Sequence, residues 1–259
     1  MNPYTLVAVA VVGIVAFLFS RTSNAKPTPL PSPTPAPPGP QPLPNIDPAD
    51  YKPSSEERAY NRQKIHEYAS MIEDLTGAKG FGDFCVAVSY AESRFNRFAR
   101  NTTEGDNPNA ASGIVGARPK SAFPVAKNKG DWGTHPQDNP DSLFDIRVSV
   151  AQAAHYYHRC RFYAKRQKIS DFTMLSIRRC WAYPSIADDF DETEKPRSAK
   201  VRERFEVAIE AVGLPPSFLN KKAFPLGYNW PGYLAVYAAV GLSKQDVIDM
   251  KSTPGEWQP

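Results

Sequence analysis

Twelve of the chain's 26 prolines fall between Pro27 and Pro53. Proline fixes φ and has no N–H to donate, so this stretch can join neither a helix nor a sheet ladder. Residues 26–53 therefore read as an extended polyproline spacer, reaching roughly 80 Å at ~3.1 Å per residue. A stalk is the reading adopted; a proline-rich ligand for an aromatic groove is the alternative. The spacer divides the chain into an N-terminal piece, residues 1–25, and a folding portion, residues 54–259. The whole chain is 41% hydrophobic and 22% charged, and residues 54–259 are long enough to bury a core. Global disorder, a collagen helix and a multi-pass membrane protein are excluded.

Residues 4–20 carry no charge. At ~1.5 Å per residue they just suffice to cross a bilayer core, which predicts a retained transmembrane anchor. Ser23-Asn24-Ala25 resembles a small-residue cleavage site, so a cleaved signal peptide is the alternative. Arg21 and Lys26 follow the span and by the positive-inside rule would hold the folded part in the cytoplasm. The function read below points to the opposite side, and a viral membrane would relax the rule.

The folding portion holds 28 Lys/Arg against 25 Asp/Glu, a net +3. So mild an excess does not call for nucleic acid, and none is expected as a partner. Cys85, Cys160 and Cys180 match no zinc spacing and no Cys-x-x-Cys. Their odd number permits at most one internal disulfide, of open pairing. No cofactor or metal is expected. His155 and His158 share a helix face, but no carboxylate or cysteine is placed to complete a site.

The hydrophobic pattern is helical, predicting a mainly α fold. Ser54 and Glu57 form a capping box that starts a helix carrying Tyr60, Ile65, Tyr68, Ile72 and Leu75, stopped by Gly77. Asp83 caps a second helix running from Phe84 to about Phe95. Asp141 or Asp145 opens a third, with a stripe of Ile146, Val150, Ala153, Tyr157, Cys160 and Ala164. Ser170 caps a fourth with Met174, Leu175, Ile177 and Trp181. Ser198 starts a fifth with Val201, Phe205, Ala208 and Val212, closed by Gly213. Residues 101–116 form an irregular functional loop. Beyond Leu214, one helix packs on the domain (residues 233–242) and another starts at Ser243.

Glu92 stands out. It ends an otherwise apolar helix and shares a face with Cys85 and Val88. Desolvation and the negative end of the helix dipole both favour its neutral form. A protonated carboxyl is what general-acid cleavage of a glycosidic bond requires. The bland alternative is a helix-end glutamate facing water or pairing with Arg94 or Arg97.

Glu92-Ser93-Arg94-Phe95-Asn96, with Ala99, resembles the Glu-Ser-x-Phe-Asn-x-x-Ala signature of lytic transglycosylases of the soluble (SLT) type, which share a lysozyme-like fold with goose-type lysozymes. Residues 111–122, Ala-Ser-Gly-Ile-Val-Gly-Ala-Arg-Pro-Lys-Ser-Ala, resemble that family's Gly-Ala-x-Gly-Leu-Met-Gln-x-x-Pro-x-Thr-Ala segment. Leu143-Phe144-Asp145 with Ser149-Val150 and Tyr156-Tyr157 resemble its Phe-Asp-Pro…Asn-Ile…Tyr-Leu helix. Trp181-Ala182-Tyr183 resembles its Ala-Ala-Tyr-Asn. The four motifs follow family order across about residues 84–205, within a domain set at residues 54–213. Two positions depart: Gly116 replaces the family's Gln, and Pro184 its Asn, residues that help hold the sugar or the reacting water.

The resemblance implies that Glu92 protonates the oxygen joining N-acetylmuramic acid to N-acetylglucosamine, then as a base helps the muramyl 6-hydroxyl close an anhydro ring. The substrate's acetamido group stabilises the cationic centre, so no second carboxylate is needed. A hydrolase would use one, and Glu104 or Asp106 are the nearby candidates. Ser93, Gly113, Ile114, Val115 and Tyr183 are implied as binding or orienting residues, with Tyr183 near Glu92. The expectation is a membrane-anchored, peptidoglycan-cleaving enzyme of a bacterial envelope or phage virion. A catalytically degenerate glycan- or partner-binding module is the alternative. Arg159, Arg161, Lys165, Arg166 and Lys168 with Phe162 and Tyr163 form a basic aromatic patch, read as a solvated face or a grip on an anionic polymer.

Overall fold

In the computed structural model the chain divides after Gln41 into two units. The structure describes residues 50–101, 103, 110–118, 140–166, 172–182 and 196–249. The anchor and nearly all of the proline spacer lie outside these residues. So do Ser170, Tyr183, Pro184, Glu104 and Asp106. Among the described residues no helix is long and apolar enough to cross a membrane.

The described part is mainly helical: α1 (Ser55–Thr76), α2 (Phe81–Ser93), α3 (Ile146–Arg166), α4 (Met174–Ala182), α5 (Pro196–Ala211), α6 (Tyr233–Ala239) and α7 (Lys244–Asp249). Short 3-10 turns, Pro140–Phe144 and Pro216–Asn220, precede α3 and follow α5. Among the described residues β pairing is confined to isolated bridges.

Local chemistry sets most of the helix ends. Ser54 Oγ accepts from the Glu57 N–H at 3.1 Å, satisfying one orphan donor of the first turn. The return half of the box is absent, because the Glu57 carboxylate instead accepts from the Tyr51 hydroxyl. Gly77 closes α1 at φ 68°, a conformation other residues adopt only with strain. Asp145 is the cap of α3, accepting from the Arg147 N–H at 2.8 Å. Ser243 and Asp246 make a complete reciprocal box, at 3.1 and 2.7 Å.

Two starts differ from the sequence reading. Helix α2 begins at Phe81, after Gly80 at φ 95°, and ends at Ser93. Asp83 is thus inside the first turn, facing His66 at 3.9 Å rather than capping. Phe81 earns its helical place by packing edge-on to Tyr157, with ring centroids 5.3 Å apart. Helix α4 is capped by Thr173, whose Oγ1 accepts from the Ser176 N–H at 3.2 Å. On α1, Leu75 is exposed; the buried stripe is Asn61, Ile65, Ala69, Ile72 and Thr76.

The core centres on Phe84 of α2, which meets Tyr157 of α3, Trp181 of α4 and Phe205 of α5 edge-on, at 5.7, 6.1 and 5.8 Å. The stripe predicted for α3 is wholly buried. Cys160 and Cys180, both buried, form a disulfide joining α3 to α4, while Cys85 is a buried free thiol. Residues beyond Leu214 share this core: Phe218, Leu219, Ala223, Tyr237 and Val247 are buried in it. The Tyr157 hydroxyl donates to the Ala223 carbonyl, and Gln152 donates to the Tyr237 hydroxyl.

His155 and His158 pack against the C-terminal segment rather than towards each other's ring nitrogens. His155 stacks on Tyr233 at 4.4 Å, with its Nε2 2.8 Å from that hydroxyl. His158 stacks on Trp230 at 4.4 Å and pairs through Nδ1 with the Tyr228 hydroxyl at 2.9 Å. Burial, reinforced by neighbouring cations, holds His155 down at about 3 and His158 at about 4. Both stay neutral in the fold while the unfolded chain takes up their protons near ~6.5. Their contribution to stability is therefore complete above about pH 6.5 and is lost as pH falls towards 4 and below. Urea midpoints are expected to drop between about pH 7 and about pH 5, and less steeply in His155→Gln.

Candidate active site

The C-terminal end of α2 turns sharply. Arg94 and Phe95 both adopt the left-handed conformation, at φ 53° and 64°, which costs roughly 1–2 kcal/mol for each non-glycine residue. Buried Asn61 of α1 holds this turn by donating from Nδ2 to the Phe95 carbonyl at 2.9 Å. Asn96 donates to the Tyr51 carbonyl at 3.1 Å and its Oδ1 accepts from the Phe98 N–H. Consecutive strained residues persist only where the surroundings over-determine them, and such places are often functional.

Against this turn lies a second one. Ser112 and Ala117 exchange backbone hydrogen bonds at 2.9 and 3.0 Å, and Gly113 to Gly116 form the bend between them. Ser93 ties the two together, its hydroxyl donating to the Ile114 carbonyl at 2.7 Å. Gly113 has φ 74°, and a Cβ there would lie 2.2 Å from the Leu143 carbonyl oxygen. Only glycine permits that approach. Ile114 and Val115 have no exposed surface. Any role of theirs at a substrate is thus through the backbone of the turn they anchor.

Glu92 sits where the turns meet. It is not the lone desolvated carboxyl expected from the helix face. Its Oε1 accepts from the guanidinium of Arg178 on α4. The Arg178 side chain is 5% exposed and that of Glu92 27%. Arg94, one of the two local partners considered, covers the Tyr90 ring at 4.1 Å. Arg178 escaped the sequence reading because it is 86 residues away from Glu92 and lies on a helix whose pattern announces only burial.

Glu92 Oε2 faces Gly116. A Cβ at Gly116 would lie 2.9 Å from Oε2 and 3.1 Å from the Glu92 Cβ, and φ there is 62°. No family model, no curated protein and no solved structure matches the chain. One carboxylate oxygen is anchored by a buried cation; the other packs against Gly116. Such a carboxyl is oriented for proton transfer through a single oxygen. Among the described residues no cluster of histidine, cysteine or carboxylate side chains could hold a metal.

Gly116 thus has a definite role in the geometry of Glu92. Gly116→Ala is expected to displace the carboxyl and to cost roughly 1–2 kcal/mol from the left-handed backbone alone. Gly116→Gln, with a longer side chain on the same left-handed backbone, is expected to disturb Glu92 at least as much. Denaturant unfolding checks the stability, and the Glu92 side-chain position in a crystal of the variant checks the displacement.

Proposed function

We propose that this chain is a membrane-anchored, peptidoglycan-cleaving enzyme of the lytic-transglycosylase type, built on a lysozyme-like helical domain with Glu92 as general acid and base. The observation that carries this reading is the convergence at Glu92. The turn from Gly113 to Gly116, tied to Ser93, and Arg178 of α4 come from segments remote in the chain, and they meet around one partly exposed carboxyl.

The ion pair constrains how such a carboxyl works. Oε1 keeps accepting from Arg178 while Oε2 carries the proton to the glycosidic oxygen, leaving over Gly116. Once the proton has gone, the carboxylate is compensated by the guanidinium and its Oε2 can take up the proton of the muramyl 6-hydroxyl as the anhydro ring closes. The acetamido group of the substrate would support the oxocarbenium-like centre. Loss of a general acid typically lowers such a rate about 10²- to 10⁴-fold.

The disulfide bears on the side of the membrane. Cys160–Cys180 is a bond that forms and persists in oxidising compartments and is rare in the cytosol. It favours an envelope or virion-surface location over the cytoplasmic placement that Arg21 and Lys26 alone suggest.

Digestion of purified sacculi with mass analysis of the products tests the proposal. Anhydro-ended muropeptides released by the wild type and lost in Glu92→Gln are the expected result. Reducing ends would assign a hydrolase. The second reading, a glycan- or partner-binding module without turnover, draws on the same ion pair and on Gly116 and Pro184. Binding to sacculi without release of any fragment would select it.

A further inference from the structure

Arg94 closes α2 with its backbone left-handed, at φ 53°, in a position that glycine takes without strain. Its guanidinium lies over the Tyr90 ring, 4.1 Å from the centroid. These two residues form one wall of a cleft of about 440 Å³ between the end of α2 and α5. Lys200, Glu203, Arg204 and Val207 form the other wall, at the spacing that puts them on a single face of α5. All four are exposed. Three cations and one carboxylate thus border the same space. Among the described residues none of the three cations forms an ion pair, whereas Arg202, on another face of α5, pairs with Glu206 at 2.8 Å. Like charges gathered in a cleft repel one another and focus a positive potential into it. A guanidinium held over a ring keeps its N–H edge open to an acceptor. The rest of the lining is carbon: the Tyr90 ring, Ala91 and Val207, the last 50% exposed.

From this cleft we propose a binding site for an organic polycarboxylate, an acidic ligand whose carboxylates meet Arg94, Arg204 and Lys200 while its carbon chain rests on Tyr90, Ala91 and Val207. Planar guanidinium forks match carboxylate oxygens two at a time. With Glu203 set against the three cations, the cleft keeps an excess of positive charge that suits a ligand with more than one carboxylate. Inorganic phosphate would meet the same cations but has no carbon to cover Val207. The strained backbone of Arg94 has a use here, since it is what sets this guanidinium at the mouth of the cleft. The site goes beyond the reading of Glu92, which meets Arg178 and Gly116 instead, and its test does not depend on that chemistry.

The test is calorimetric titration of the full chain, in mild detergent, with tricarballylate and separately with inorganic phosphate at one ionic strength. Saturable binding of tricarballylate, tighter than that of phosphate, is the expected result. Arg94→Gly and Arg204→Gln are each expected to weaken it roughly tenfold, the loss of a charge-assisted hydrogen bond. Glu203→Gln, which removes the carboxylate from the cleft, is expected to tighten it several-fold. Lys79→Gln changes the net charge by the same amount as Arg204→Gln, from an exposed position outside the cleft, and is expected to leave binding unchanged. Arg94→Gly also relieves the left-handed backbone, so its urea midpoint is expected to match or exceed that of the wild type. Binding lost from a chain of undiminished stability is not what a purely structural Arg94 produces. A lower midpoint with binding retained assigns Arg94 to the fold and overturns its place in the site. No saturable binding of tricarballylate overturns the proposal outright. So does phosphate bound as tightly, which leaves an adventitious anion only, or a loss in Lys79→Gln equal to that in Arg204→Gln, which reduces the effect to net charge.

Discussion

Glu92→Ala is expected to destabilise the protein by about 3 kcal/mol, because it leaves the Arg178 guanidinium buried without an anion. Arg178 is 5% exposed, and among the described residues its Nε and second terminal nitrogen have no hydrogen-bond partner. The reverse change is milder. In Arg178→Met the carboxylate of Glu92, 27% exposed, can recruit water, and a cost of about 1–2 kcal/mol is expected. The double variant Glu92→Ala with Arg178→Met should recover most of the loss, since a buried ion pair replaced by apolar groups is often neutral. Urea unfolding of the four proteins yields the coupling directly. The cycle also separates structure from chemistry. If Glu92 is only half of a structural ion pair, the stable double variant releases muropeptides like the wild type. If it is the acid, the double variant is stable and inactive. Glu92→Gln keeps an acceptor for Arg178 and is the milder variant for activity measurements.

Cys160→Ala with Cys180→Ala is expected to lower stability by about 3 kcal/mol. The cysteines are 20 residues apart, and cross-linking a loop of this length removes about that much conformational freedom from the unfolded chain. For a domain of this size the shift in Tm is roughly 6–12 °C. Both side chains are buried, so alanine leaves no unpaired hydroxyl, as serine would. Burial pushes the Cys85 thiol well up, which keeps it a poor nucleophile and out of competition for either partner. Calorimetry of the wild type with and without reductant makes the same comparison without mutation. An unchanged midpoint would mean that the two thiols are not bonded in the protein, and would withdraw the support they lend to an oxidising compartment.

Much of the helical architecture was legible because its signals are local. The Ser54 hydroxyl lies three residues from the N–H it caps, Asp145 two from its own, and Gly77 marks a stop that other residues would make with strain. The buried stripe of α3 follows from a period of 3.6 read over six positions. Signals failed where packing overrode them. Phe81 is drawn into α2 by Tyr157, three residues before the position that Asp83 suggested. Leu75 obeys the helical spacing yet faces outwards, because the face α1 buries is the one running through Ala69.

The candidate site divides the same way. Glu92 was conspicuous as a carboxylate closing an apolar helix, and Ser93 and Gly113 lay in recognisable patterns beside it. Its ionic partner was not readable, since Arg178 is distant in sequence and nothing local distinguishes it from neighbouring Arg179. Nor was the reason for glycine at 116, which exists only once the turn lies against Glu92. The proline cluster, by contrast, needed no tertiary information. A ring that removes the donor and fixes φ excludes helix and sheet wherever it recurs, so the sequence alone set that stretch apart from the folding portion. Which charges pair, which thiols join and which oxygen of Glu92 meets Arg178 depend on distances between segments remote in the chain. Only the packed fold sets those distances.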